Sequence, residues 1–101
     1  NIELLEYQAA DQARTAPKNS DVGAMHIAFY VADIEKAYAY LQATAEVKIL
    51  GKPTPVSGQP NGGEVFVYFL TPWGTSMEIV SYNQGMEYEK STSKRLYKVG
   101  G

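Results

Sequence analysis

Glu3, His26 and Glu78 are the residues whose types and settings could do chemistry in this chain, each placed among apolar or β-favouring neighbours. The run Asn1-Ile-Glu-Leu-Leu-Glu-Tyr7 is echoed by Ser76-Met-Glu-Ile-Val-Ser-Tyr82, with Glu and Tyr at the same offsets. The single histidine lies in Ala24-Met-His-Ile-Ala-Phe-Tyr-Val31. A carboxylate in such a setting is costly to bury unless something cationic receives it. One imidazole and two carboxylates make a ligand set for a divalent metal ion, and these donor types serve Zn, Ni, Mn and Fe(II) alike.

Strands must position these groups. Alternation along a strand sets Glu3, Leu5 and Tyr7 on one face, His26, Ala28 and Tyr30 on another, and Glu78, Val80 and Tyr82 on a third. Ile27, Phe29 and Val31 then face the opposite way, suited to packing under a helix. Where the three faces line one concave surface, a histidine and two carboxylates converge, with Tyr7, Tyr30 and Tyr82 as walls. The competing arrangement leaves Glu3 and Glu78 facing solvent on an open sheet.

The pattern along the chain supplies the elements. A first strand is expected over about residues 1–8, and residues 9–23 are polar and rich in turn formers, as in a connecting loop. A second strand spans 24–31. Asp33 then caps a helix whose apolar face is Ile34, Ala37, Tyr38 and Leu41, spaced i, i+3, i+4 and i+7. Val47 to Leu50 reads as a short strand ended by Gly51 and Pro53, residues 57–63 as a turn-rich loop, and Glu64 to Leu70 and 75–82 as strands joined at Pro72-Trp-Gly74. The order from residue 24 onward is βαβββ, an α+β arrangement. The division is therefore 1–22, the last strand of a preceding module with its connecting loop; 23–90, a βαβββ module; and 91–101, a C-terminal tail that is polar and mixed from Asn83 onward and is assigned no function. The start at Asn1, inside an expected strand, reads as a truncated chain.

Composition narrows the function classes. The 101 residues, 45% of them hydrophobic, suffice for one small core. A formal charge of −2 and no basic run beyond Lys94, Arg95 and Lys98 argue against a nucleic-acid surface. The absence of cysteine removes disulfides, thiolate metal sites and a cysteine nucleophile. No apolar run approaches the roughly 20 residues of a membrane span, and no secretory signal is visible, so a cytoplasmic location is the default expectation.

Gly23-Ala-Met-His-Ile-Ala-Phe-Tyr-Val-Ala-Asp-Ile34, the helix after it, Val67-Tyr-Phe-Leu-Thr-Pro-Trp-Gly74 and Ser76-Met-Glu-Ile-Val80 together resemble the second module of the glyoxalase, bleomycin-resistance and extradiol-dioxygenase (vicinal oxygen chelate) superfamily. The resemblance covers about residues 1–90. It implies two paired βαβββ modules whose curved mixed sheets surround a cavity, with a divalent metal held by the first and last strands of each. By position, His26 matches the first-strand ligand, Glu78 the last-strand ligand, and Glu3 the last-strand ligand of the preceding module; the fourth ligand would lie upstream of Asn1. Thr71 stands where the family's turn usually has Asp.

The resemblance also implies a reaction. A bound ion polarises a carbonyl or binds two vicinal oxygens and stabilises an enediolate as a Lewis acid. In glyoxalase-I-like members the last-strand Glu is both ligand and base, which assigns Glu78 to catalysis. The leading expectation is a metal-dependent lyase or isomerase that moves a proton next to a carbonyl, as in lactoylglutathione lyase or methylmalonyl-CoA epimerase. An Fe(II) extradiol-type dioxygenase and a metal-free binding protein of the bleomycin-resistance kind are the alternatives. Phe66, Tyr68 and Trp73 join the tyrosines as pocket residues. The implied partners are a small-molecule substrate and, by analogy, a second copy in a homodimer, with neither nucleic acid nor membrane.

Overall fold

The computed structural model describes residues 1–97, and the last positions of the expected tail, Lys98 included, lie outside the described residues. Its core is one helix laid on one face of a mixed sheet, an α+β arrangement. The elements are β1 (Ile27–Tyr30), α1 (Ile34–Ala43), β2 (Lys48–Ile49), β3 (Thr54–Pro55), β4 (Val65–Leu70), β5 (Ser76–Ser81) and a 3-10 turn over Glu87–Lys90. The strands run in the order β1-β5-β4-β2, with β3 also on β4. β1 pairs parallel with β5, and the remaining pairs are antiparallel.

β2 and β3 are two pieces of one strand. Lys48 and Ile49 face Leu70 and Phe69, whereas Thr54 and Pro55 face Phe66 and Val65, so the register slips by two residues between the pieces. Gly51 and Pro53 lie in that slip. A proline has no N–H to give the ladder, which explains the interruption. With the pieces joined, the element order is the expected βαβββ.

Helix α1 begins where the sequence places it. Asp33 is extended, and its carboxylate accepts from the Lys36 backbone N–H at 3.0 Å, which holds its pKa below the ordinary carboxylate range. The predicted face of Ile34, Ala37, Tyr38 and Leu41 packs on the buried Val67, Phe69 and Ile79. Those three alternate along β4 and β5 as period-two burial requires. Val31 joins this core as expected, but Phe29 remains 40% exposed. The helix contacts β2, β4 and β5 and does not reach the edge strand β1, so Phe29 has no helix above it.

The turn between β4 and β5 tolerates its unusual threonine. The buried Thr71 hydroxyl accepts from the Thr75 N–H at 3.0 Å, and the Gly74 N–H bonds the Thr71 carbonyl at 2.9 Å. Gly74 takes φ +91°, a left-handed conformation that side chains rarely adopt.

Two expected elements differ. Residues 1–8 form no strand: the segment is exposed, with Leu4 74% and Leu5 66% accessible, and no described strand lies beside it to take up its backbone hydrogen bonds. Its apolar alternation has no sheet to join. His26 lies one residue ahead of β1 rather than inside it.

Candidate functional site

The sheet face away from the helix carries the polar groups. The pairings Ala28 with Glu78, Tyr30 with Val80, Tyr68 with Glu78 and Phe66 with Val80 set the alternate residues of β1, β5 and β4 side by side on this face. An open cavity of about 680 Å³ lies over it, lined among others by Tyr30, Glu64, Tyr68, Glu78 and Tyr82. Leu96 and Tyr97 from the tail form part of the wall.

Glu78 is the centre of the site. It is buried at 7% exposure, and its Oε2 lies 2.9 Å from His26 Nε2. A buried carboxylate needs such a partner. The Tyr68 ring meets the His26 ring edge-on at 5.0 Å between centroids. Burial raises the Tyr68 pKa above its ordinary value, and the charges of Glu78 and Glu64 and a hydrogen bond to Glu78 raise it further. The expected meeting of His26 with Glu78 is thus observed.

Glu3 is not brought to them. It lies in the exposed N-terminal segment, and among the described residues no three His, Cys, Asp or Glu side chains are grouped so as to hold a metal ion. His26 and Glu78 supply two donors, one nitrogen and one oxygen. Tyr30, Tyr68 and Tyr82 line the cavity as expected. Tyr7 and Trp73 do not: they are 71% and 67% exposed and line separate surface recesses with the N-terminal residues. Phe66, expected in the pocket, is not among the residues that line the cavity; its ring lies 5.4 Å from that of Tyr68.

Glu64 is the functional candidate that motif reasoning passes over. Its signal was present, since residues 64, 66 and 68 alternate onto one face. Gly63 turns the chain into β4 with φ +99°, and a side chain there would fall on the Gly85 carbonyl oxygen. Burial raises the Glu64 pKa, and the nearby charge of Glu78 adds to this. The folded state therefore favours protonated Glu64. Its stabilising contribution is present below the ordinary carboxylate value and is lost as pH rises through the raised one. Glu64→Gln is accordingly expected to melt above the wild type at pH 7, with the gap closing as pH falls below the ordinary carboxylate range, in a pH series of thermal unfolding curves.

Described residues after β5 pack on the domain. Met86 is buried, Arg95 pairs with Glu89 at 3.2 Å, and the Leu96 N–H donates to the Tyr88 hydroxyl at 3.1 Å. These contacts bring Leu96 and Tyr97 over the cavity.

Comparison with known proteins places an isomerase beside this geometry. The chain is 44% identical over all 101 residues to 2-epi-5-epi-valiolone epimerase from Actinomyces sp.. It spans 55% of that protein, about half the length of the relative it matches. No family model matches the chain, and no solved structure does.

Proposed function

We propose that this chain forms one half of the active site of an epimerase, an isomerase that moves a proton at a carbon beside a carbonyl. The observation that carries the reading is the buried Glu78 carboxylate, paired with His26 on the floor of an open cavity. The 44% identity to an epimerase supports the same reaction class. The βαβββ order and the placement of the cavity on the face opposite the helix support reading the chain as a vicinal oxygen chelate module.

The chemistry follows from the residues. Inverting a carbon centre requires a base that removes its proton and an acid that returns a proton to the other face. A C–H beside a carbonyl is acidified because the electron pair left behind moves onto the carbonyl oxygen. Glu78 takes the proton in this scheme, and the proton returned to the opposite face comes from an acid of the other half of the site. A carboxylate has about four lone-pair sites, so its contact with His26 leaves acceptor capacity toward the cavity. His26 holds the carboxylate in place, and Tyr68 packs edge-on against the imidazole and limits water at the pair.

The family resemblance adds a divalent metal, and the donor set fits it in part. His26 and Glu78 would be two of its ligands, with the others lying outside the set that the described residues bring together. When bound, such an ion supplies Lewis-acid polarisation of the substrate carbonyl.

The reading is tested on the full-length protein with 2-epi-5-epi-valiolone as probe, following the ring protons by NMR in samples loaded separately with Zn, Ni, Mn and Fe(II). The expected result is conversion to an epimer, with bound metal, measured by elemental mass spectrometry, falling in His26→Ala. An absence of interconversion with every metal would overturn it.

A further inference from the structure

Two tyrosines around the cavity, Tyr30 and Tyr82, have their hydroxyl protons committed to the protein. Tyr30 donates to Asn83 Oδ1 at 2.6 Å, and Asn83 is oriented by donating from Nδ2 to the Ala32 carbonyl at 2.6 Å. Tyr82 donates to the Tyr97 carbonyl at 3.2 Å. Neither hydroxyl therefore has a second proton to give a ligand.

The charged groups have the same character. Glu64 and Glu78 are the charged residues of the described lining, and no lysine or arginine belongs to it. Arg95 in the tail is turned to Glu89. The Glu64 carboxylate has no hydrogen-bond or ion-pair partner among the described residues, although it is half-buried in the cavity wall.

We propose that Glu64 is a specificity-determining residue, which accepts a hydrogen bond from a hydroxyl of an uncharged, polyhydroxylated substrate and excludes anionic ones. It deepens the epimerase reading and rests on it for the substrate's ketone. An unpartnered carboxylate in the cavity wall suits a ligand rich in O–H donors. A phosphate or carboxylate placed beside Glu64 would face its carboxylate, with no lysine or arginine among the described lining residues to offset it, and a repulsion of that kind gives selectivity as effectively as a new contact.

The test measures dissociation constants on the full-length protein by titration calorimetry, with two probes: a pentahydroxycyclohexanone, and the same ring carrying one phosphate ester. The wild type is expected to prefer the uncharged ring. Glu64→Gln should weaken its binding about tenfold, as loss of a hydrogen bond to a charged group does, and should bind the ester more tightly than the wild type. Glu64→Asp, which keeps the charge, should retain the preference for the uncharged ring, a rescue that a purely structural role would not require. An unchanged preference in Glu64→Gln, or a wild type that fails to prefer the uncharged ring, would overturn the proposal. Solvent-deuterium incorporation into the bound ketone is followed in the same samples. Binding that depends on Glu64 without incorporation would overturn the epimerase reading alone, and incorporation with binding indifferent to Glu64 would overturn this one alone.

Discussion

Glu78→Gln is expected to slow proton transfer at the substrate carbon by about 10³-fold, the range over which a positioned general base contributes. The substitution keeps the size and hydrogen-bonding reach of a side chain that is 7% exposed and leaves the His26 contact a polar partner. What it removes is the ability to accept a proton from carbon. Turnover measured beside thermal unfolding separates this from a folding defect: the account expects near-normal melting with turnover lost. Activity within tenfold of the wild type would place the base elsewhere.

Phe69→Ala is expected to have the largest effect on stability, about 4 kcal/mol in denaturant unfolding, because deleting a buried aromatic ring removes its transfer free energy and leaves a cavity. Phe69 lies on the helix side of β4, packed with Val67 and Ile79 under α1. A loss of that size is a large part of the roughly 5–15 kcal/mol that holds a small domain together. Tyr68, the preceding residue, faces the other way, and Tyr68→Phe should leave stability close to that of the wild type while altering the site. The contrast between the neighbours tests the strand alternation on which the cavity depends.

That alternation is also why much of the fold was legible in the sequence. Asp33 and the spacing of Ile34, Ala37, Tyr38 and Leu41 are local signals, and the helix formed on them. The runs that became β4 and β5 are rich in β-favouring residues and bounded by turn formers, so their extent was predicted within a residue. His26 and Glu78 were found together because both belong to rows that alternate onto the face carrying the cavity.

The misses share a physical cause, which is that a strand and a site are made by neighbours. Residues 1–8 alternate as well as β5 does, yet pairing needs an adjacent backbone, and none of the described strands lies beside them. Glu3 therefore stays apart from His26. Tyr7 and Trp73 are aromatic residues whose positions depend on that segment. Glu64 and Tyr97 were overlooked for a related reason: one sits at the mouth of a glycine turn, and the other is carried over the cavity by long-range contacts such as Arg95 with Glu89. No periodicity encodes either.

Hydrogen exchange at the reacting carbon reads most directly whether this site moves a proton between carbon and carboxylate. The full-length, metal-replete protein is incubated in D2O with 2-epi-5-epi-valiolone, and deuterium at the carbons beside the carbonyl is followed by NMR. Incorporation at one such carbon is expected, with inversion there and loss of both in Glu78→Gln. Inversion without deuterium uptake in the wild type, or uptake undiminished in Glu78→Gln, would contradict it.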